Sequence, residues 1–174
     1  MKSTVISAAA VPPALPGAAR PAGPGLPDFE LIELLFFAYR DFVGEPDRLL
    51  AKHGFGRAHH RVIHFINRHP GLTVAELLDI LEITKQSLAR VLKDLIQGDF
   101  VEQKAGAEDR RQRLLFLTDK GRALADGLAA MQHQRIARAV MAIGPEHRPM
   151  IARFLAELID KERGAAPATA SPVP

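Results

Sequence analysis

Apolar residues from position 28 onward recur at helical spacing in several separate blocks. The first block, "DFELIELLFFAYRDF", begins with Asp28, which can cap a helix, and carries two apolar stripes. One stripe consists of Ile32, Leu35, Phe36, Tyr39 and Val43, and the other consists of Leu31, Leu34, Ala38 and Phe42. A helix that is apolar on nearly all sides needs two partners, so we expect one of them to come from a second subunit.

The next blocks predict a helix-turn-helix. The segment "RAHHRVIHFINRH" predicts a helix that ends before the Pro-Gly step at 70–71. Thr73 and Glu76 have the spacing of a capping box, which opens a short helix. Thr84 can cap the following helix, "KQSLARVLKDLIQ", and Gly98 is placed to end it. The turn between these two helices is short, and the second helix has a polar leading turn and an apolar back, as expected of a recognition helix.

A hairpin and two more helices complete the pattern. The runs "FVEQK" and "RLLFL" predict two strands, separated by the charged "AGAEDRRQ", in which Gly106 marks the turn. Thr118 and Asp119 can open a long helix that the Gly-Pro step at 144–145 interrupts. The predicted fold class is mainly α (α+β): a winged helix-turn-helix with a two-stranded wing, flanked by N- and C-terminal dimerisation helices.

Composition sets the domain limits. Residues 1–27 and 164–174 are rich in Ala, Pro and Gly and predict disordered tails. One domain is expected over 28–163, in which 57–121 form the winged helix-turn-helix while 28–56 and 122–163 form the dimerisation helices. The chain has no cysteine, which excludes thiol chemistry and thiolate metal sites. No apolar run reaches the roughly 20 residues of a membrane span, and prolines interrupt the N-terminal apolar patch, so we expect a cytoplasmic protein without a secretory signal.

The net charge is only +3, but basic residues cluster locally. Arg110, Arg111 and Arg113 crowd the predicted hairpin tip beside Asp109. A solvated turn with an Asp–Arg ion pair is one interpretation of this cluster. Its position directly after a helix-turn-helix favours the other interpretation, contact with a polyanion.

Residues 72–124 resemble the MarR family of bacterial transcriptional regulators. The most specific element is Asp-x-Arg followed by Leu-Thr-x-x-Gly, present here as Asp109, Arg111, Leu117, Thr118 and Gly121. The resemblance implies a homodimer whose recognition helices enter successive major grooves of a pseudo-palindromic duplex, while the wings reach the flanking minor grooves. It also implies that Arg111 enters the minor groove and that Asp109 holds it.

The predicted DNA contacts fall on two elements. On the recognition helix, a glutamine can pair with adenine and a lysine or arginine with guanine, and the helix N-terminus favours a phosphate. An ordinary polar helix face is the alternative there. On the wing, Arg110 and Arg113 are expected to contact phosphates. The predicted DNA-binding residues are Thr84, Lys85, Gln86, Ser87, Arg90, Asp109, Arg110, Arg111 and Arg113.

Two positions depart from the family pattern. The turn between the two helices often carries glycine in the family, whereas this chain has Glu82. Asp99, after Gly98, stands where an apolar residue is expected. Neither position belongs to the predicted DNA contacts.

Histidines raise the question of a metal. His59, His60 and His64 lie on one predicted helix, but no acidic partner, HExxH motif or cysteine accompanies them, so we expect no metal and no cofactor. The resemblance implies a cleft for a small aromatic or anionic effector. Its candidate residues are Phe36, Tyr39, Arg40, His60 and His64. Packing of Phe36 and Tyr39 in the core is the alternative.

These features together predict a DNA-binding transcriptional regulator, most simply a ligand-responsive homodimeric repressor that binds a pseudo-palindromic operator. The alternative is a winged-helix protein-interaction module whose basic wing contacts an acidic partner without specific DNA binding. An enzyme is not expected, because the chain has neither a nucleophile elbow nor a phosphate-binding glycine loop.

Overall fold

The computed structural model describes residues 28–106 and 112–160. Asp109, Arg110, Arg111 and both predicted tails lie outside these described residues. Within them the helices are α1 (Phe29–Ala51), α2 (Arg57–Arg68), α3 (Val74–Leu81), α4 (Lys85–Gln97), α5 (Asp119–Ile143) and α6 (Arg148–Glu157). A 3-10 turn at Pro145–His147 precedes α6, and the strands are β1 (Leu72–Thr73), β2 (Val101–Ala105) and β3 (Arg113–Leu117).

The helices begin at the capping residues that the sequence predicts. The Asp28 carboxylate accepts the backbone N–H of Leu31 at 3.1 Å. Thr73 and Glu76 form the reciprocal capping box, with the Glu76 carboxylate accepting the Thr73 N–H at 2.8 Å. Thr118 caps α5 by accepting the Gly121 N–H at 3.0 Å. Each cap satisfies a backbone donor that the first helical turn leaves free, so these residues fix where the helices start.

The wing sheet has three strands rather than the two predicted. β3 lies in the middle, antiparallel to β2 on one side and to β1 on the other. In β1, Leu72 pairs with Leu115 and Thr73 with Leu114. A strand of two residues is too short to show an alternating pattern, so sequence alone does not reveal it. The strand ties the start of α3 directly to the wing.

One apolar core holds the helix-turn-helix, the sheet and the adjoining halves of the flanking helices together. Leu50 anchors the last turn of α1 in this core, and Leu124 and Leu128 anchor the first turns of α5. The other core residues come from α2, α3, α4 and the strands. They include Val62, Ile63, Ile66, Leu77, Leu81, Leu88, Leu92, Leu95, Phe100 and Leu115. The winged helix-turn-helix is therefore a packed unit with the ends of α1 and α5 built into it.

Both departures from the family pattern carry a left-handed backbone. Glu82, in the turn between α3 and α4, has φ of 50°, and Asp99 has φ of 61°. Glycine adopts this region without steric cost, which is the physical reason for a glycine at the turn. Gly98 caps the end of α4 as predicted, but with a right-handed φ of −80°, so the left-handed residue there is Asp99.

Over residues 28–106 and 112–160, no helix is both long and apolar enough to cross a bilayer.

Candidate DNA-binding surface

Helix α4 presents a polar face outward and an apolar face inward. Leu88 and Leu95 are completely buried against the core. Every predicted contact residue of this helix is exposed, namely Lys85, Gln86, Ser87 and Arg90. The apolar face fixes α4 on the domain, so its polar face is available to a duplex.

The N-terminus of α4 is held by a local hydrogen-bond pair. The Thr84 hydroxyl accepts the Ser87 N–H at 3.2 Å and donates to the Ser87 hydroxyl oxygen at 2.8 Å. The hydroxyl of Thr84 is therefore used in capping, whereas the Ser87 hydroxyl still has its own proton to donate. Of the two predicted contacts, Ser87 is the better hydrogen-bond donor to DNA.

An exposed lysine extends the polar face of α4. Lys93 lies one turn beyond Arg90 and is exposed, and the same stripe begins at Gln86. Residues at i, i+4 and i+7 share one face of a helix. Lys93 is absent from the DNA contacts predicted from the sequence, although its spacing from Gln86 and Arg90 is a signal that identifies it.

Two polar contacts hold α2 against the helix-turn-helix. The Arg61 guanidinium donates to the backbone carbonyl of Leu81 at 2.9 Å, at the last turn of α3. His59 Nε2 lies 3.3 Å from a carboxylate oxygen of Asp94 on α4. Because a hydrogen bond has a preferred direction, these contacts orient α3 and α4 as well as hold them.

The described part of the wing carries one of the four predicted wing residues. Arg113 is exposed at the start of β3, opposite Ala105. The Gly106 N–H donates to the Gln112 carbonyl at 3.1 Å and closes the base of the hairpin. Asp109, Arg110 and Arg111 lie outside the described residues.

The wing base is joined to α5 through Thr118. Its hydroxyl donates to the Asp99 carbonyl at 2.7 Å, and its N–H donates to the Phe100 carbonyl at 3.2 Å. Lys120 donates to the Gly98 carbonyl at 2.7 Å, with its ammonium group 4.3 Å from the centre of the Phe100 ring. The end of the recognition helix, the start of β2 and the start of α5 thus form one hydrogen-bonded junction.

The predicted effector residues on α1 are exposed within a single chain. Phe36 is 68% exposed and Tyr39 is 55% exposed. Arg40 forms an ion pair with Asp41 at 2.9 Å, also on the surface. The alternative that Phe36 and Tyr39 pack in the core of the chain is therefore wrong.

His60 and His64 lie one turn apart on α2, where the His60 side chain is partly buried and His64 lies at the surface. Burial lowers the pKa of His60, and the nearby His64 lowers it further while Asp47 acts against both. Burial likewise lowers the pKa of His64, with Arg68 and His69 adding to the effect. Both imidazoles therefore favour the neutral form, because charging them in this setting costs solvation.

None of the predicted effector residues lines the cavity beside α2 in the described part of the chain. This cavity of about 120 Å³ lies between the end of α2 and the sheet. Its lining includes Asn67, Glu102, Lys104, Phe116 and Arg122. Nor do His, Asp and Glu residues converge in threes to hold a metal within 28–106 and 112–160. His59 faces Asp94 rather than the other two histidines.

The winged helix-turn-helix between long flanking helices defines a class of DNA-binding proteins, and known proteins identify the family. Residues 53–112 match the model of the MarR family. The chain is 53% identical over 115 residues to the HTH-type transcriptional regulator PetP of Rhodobacter capsulatus, which is 66% of this chain and 69% of PetP. It is 34% identical over 112 residues to the exopolysaccharide II synthesis transcriptional activator ExpG of Rhizobium meliloti, which is 62% of this chain and 57% of ExpG.

A solved structure has the same fold. The transcriptional repressor CouR, bound to a 23-mer DNA duplex, superposes with a TM-score of 0.59 at 23% identity, over 76% of this chain and 92% of CouR. The chain therefore belongs to the MarR family and is a DNA-binding transcriptional regulator. Family membership assigns it to regulators rather than to enzymes.

Proposed function

We propose that the chain is a homodimeric repressor that binds a pseudo-palindromic operator and responds to a small aromatic or anionic effector. The observation that supports a dimer is the distribution of exposed apolar side chains along the chain. In the described residues, every large exposed apolar side chain except Ile96 lies before position 40 or after position 135. These side chains come from the start of α1, the end of α5 and α6, which is the part of the chain outside the packed core.

A single subunit exposes more large apolar side chains than is usual for a monomer in water. These side chains are Phe29, Leu31, Ile32, Leu34, Leu35, Phe36, Tyr39, Ile136, Met141, Ile143, Met150, Phe154, Leu155, Leu158 and Ile159, each more than 40% exposed. Monomers in water rarely expose contiguous apolar areas of this kind, since burial is favourable by about 25 cal/mol per Å². A second copy with the same surfaces supplies the missing partner by two-fold symmetry.

We propose a narrower dimer-forming part than the predicted 28–56 and 122–163. Leu50, Leu124 and Leu128 belong to the winged-helix core, so the last turns of α1 and the first turns of α5 already have a partner within the chain. We assign dimerisation to the exposed stretches 29–39 and 136–159. A rigid α5 then joins the dimer interface to the junction at the base of the wing, and the interface sets the separation of the two α4 helices.

Each α4 is proposed to enter the major groove with Gln86, Ser87 and Arg90 toward base edges. Lys85 borders that face and Lys93 continues it by one turn, and both lysines are assigned to phosphates. Arg113 leads into the wing tip, where Arg110 and Arg111 are proposed to reach a phosphate and the minor groove, with Asp109 holding Arg111. The duplex bound to CouR supports this assignment through the shared fold.

Repression is supported by the description of CouR as a repressor, whereas ExpG is described as an activator. The sign depends on where the operator lies relative to the promoter, and a dimer covering a promoter excludes polymerase. The effector is proposed to bind beside Tyr39, His60 and His64, where the dimer would enclose side chains that one chain leaves open. It acts by binding one of two dimer conformations more tightly.

The central experiment is selection of duplexes from a random pool with the full chain, followed by affinity measurements on the enriched duplex. If the chain binds as a dimer, the selected motif should have two-fold symmetry, with half-sites about one helical turn apart. Log affinity is expected to fall linearly with log salt, and Arg90→Ala is expected to cost about 1–3 kcal/mol. Enrichment of no duplex even at low salt would reject DNA-dependent regulation in favour of a protein-interaction module.

The sign of regulation and the effector need a second measurement. A reporter driven by a promoter that contains the selected motif is expected to lose expression when the chain is co-expressed. Activation of the reporter would reject repression. Aromatic carboxylates are then screened for release of the dimer from the duplex, with His60→Ala and His64→Ala as variants that retain DNA binding but lose the response.

A further inference from the structure

An aromatic and polar contact joins the N-terminus of α2 to the far end of the recognition helix. We call it the α2–α4 clasp and define it as Phe55, His59, Asp94 and Phe100. His59 Nε2 lies 3.3 Å from Asp94 Oδ2, across 35 positions of sequence. His59 Nδ1 accepts the backbone N–H of Gly56 at 3.2 Å. Since Nδ1 is an acceptor, the neutral ring carries its proton on Nε2 and donates it to Asp94.

Stacking fixes the plane of the His59 ring. The Phe55 ring lies 4.7 Å from it at an interplanar angle of 11°. Phe55 in turn meets the edge of Phe100 at 5.0 Å, and Phe100 is almost fully buried directly after α4. The His59 side chain is only 14% exposed, whereas Asp94 is 44% exposed. The His59 ring is thus held in place by its neighbours, whereas the more exposed Asp94 side chain is less restrained.

The hydrogen bond of the clasp orients α4 relative to α2, whereas the apolar contacts between the two helices only hold them together. Val62 and Ile66 on α2, like Leu88 and Leu95 on α4, are buried apolar side chains. Apolar contact is not directional, so it leaves a helix some freedom to rotate and slide. Asp94 lies one turn after Arg90 on the same helix. A hydrogen bond at Asp94 therefore restricts the rotation of the face that carries Arg90.

We propose that His59 is a positioning residue for sequence recognition: it sets the rotation of α4 through its hydrogen bond to Asp94 without touching DNA itself. The inference rests on the proposed contact between α4 and the duplex. Positioning affects base contacts more than phosphate contacts, since base hydrogen bonds depend on alignment and phosphate attraction depends mainly on charge. Loss of the clasp should therefore reduce discrimination between sequences while leaving the salt dependence unchanged.

Two substitutions at His59 separate the hydrogen bond from the stacked ring. His59→Phe retains an aromatic ring against Phe55 but has no N–H for Asp94. It also loses the acceptor for the Gly56 N–H at the start of α2, which Asp94→Ala leaves intact. His59→Gln loses the ring but places an amide N–H near the position of Nε2. We expect His59→Phe to lower the ratio of specific to non-specific affinity about five-fold, the effect of one lost hydrogen bond, and His59→Gln to retain most of that ratio. The reverse order would overturn the proposal, because stacking rather than the hydrogen bond would then matter.

Substitutions at Asp94 complete a double-mutant cycle on the selected duplex. Asp94→Ala is expected to lower the affinity ratio as much as His59→Phe, and the double variant no further than either alone. Asp94→Asn retains an acceptor for the histidine and should rescue the ratio. Asp79→Ala is the matched control, since it removes a negative charge from the exposed surface of α3. Multiplicative losses in the double variant, or equal losses in Asp79→Ala, would overturn the proposal.

The same duplex distinguishes failure of this inference from failure of the proposed function. Arg90→Ala, a proposed direct contact, must lower the affinity of a wild-type chain that binds. If wild type binds and Arg90→Ala weakens it while His59→Phe does not, only the clasp is rejected. If no duplex is bound by wild type, the proposed function fails and the clasp with it. Thermal unfolding of each full-length variant, with binding measured well below its midpoint, removes stability as a cause.

Discussion

The backbone of Gly121 in α5 lies directly against the carbonyl of Phe100, the residue before β2. A Cβ atom added at Gly121 would collide with the Phe100 carbonyl oxygen and carbon. Backbone atoms cannot move aside as a flexible side chain can. The close approach also lets the Thr118 N–H reach the Phe100 carbonyl at 3.2 Å. This contact explains physically why the Leu-Thr-x-x-Gly signature ends in glycine.

Gly121→Ala is therefore expected to destabilise the fold. Separating α5 from the start of β2 should cost about 1–3 kcal/mol, the usual penalty of overpacking. Chemical denaturation of the full chain measures the free energy of unfolding. Gly127→Ala in the same helix is the matched control, since its added Cβ would meet only the Leu49 side chain at 3.7 Å. We expect that control to gain up to about 1 kcal/mol from helix propensity; equal losses in both variants would contradict the collision.

Substitution of Glu82 is expected to change the stability of the fold, because this residue has a left-handed backbone conformation in the turn between α3 and α4. With φ of 50°, Glu82 occupies a conformation that costs a residue with a Cβ about 1 kcal/mol. Glu82→Gly should then stabilise the fold by up to about 1 kcal/mol, whereas the β-branched Glu82→Val should destabilise it by a similar amount. Thermal unfolding measures both. Equal stability of the two variants would show that this backbone conformation is not under strain.

Stability is expected to decrease as the solution becomes acidic. The pKa values of His60 and His64 lie below their ordinary value of 6.5 in the folded chain. Below pH 6.5 the unfolded chain therefore binds more protons than the folded chain, so folding loses free energy as pH falls towards the lowered pKa values. Above pH 6.5 this contribution is fully present. Denaturant titrations between pH 7.5 and about 5 should show the loss, and the double variant His60→Gln/His64→Gln should reduce it.

Self-association is expected to depend on the exposed apolar surface of α6. Phe154 is 53% exposed in a single chain. Phe154→Lys would place a charge in the proposed interface and should weaken the dimer at least about ten-fold, as loss of a buried aromatic anchor does. Sedimentation equilibrium measures this change. Ile96→Lys is the control, since Ile96 is 38% exposed but lies on α4, and it should leave the dimer intact.

Arg113 is expected to act through charge. The residue is exposed at the base of the wing, and its proposed partner is a phosphate. Arg113→Ala should reduce the slope of log affinity against log salt by about one and weaken all sequences alike. Arg48→Ala on α1 removes the same charge outside the proposed DNA contacts and dimerisation stretches, and it should leave the slope unchanged. A loss confined to the selected sequence would instead make Arg113 a base-reading residue.

Local signals in the sequence determined much of the fold. The capping residues Asp28, Thr73, Thr84 and Thr118 are all found at helix starts, because each bond joins residues only three positions apart. Apolar periodicity likewise predicted the buried face of α4, since a regular helix brings i, i+3, i+4 and i+7 together whatever surrounds it. Helix caps and apolar periodicity depend only on residues close together in sequence, so they can be predicted from short stretches of it.

Only the tertiary structure decided the contacts between distant stretches. β1 forms because Leu72 pairs with Leu115 of β3. His59 forms a hydrogen bond with Asp94 because α2 packs against α4. The same packing buried Leu50 near the end of α1 and left Phe36 near its start on the surface, although both side chains are apolar. Periodicity states which residues share a face but not which face meets a partner. That choice depends on how all the elements pack, so it appears only when the chain is folded.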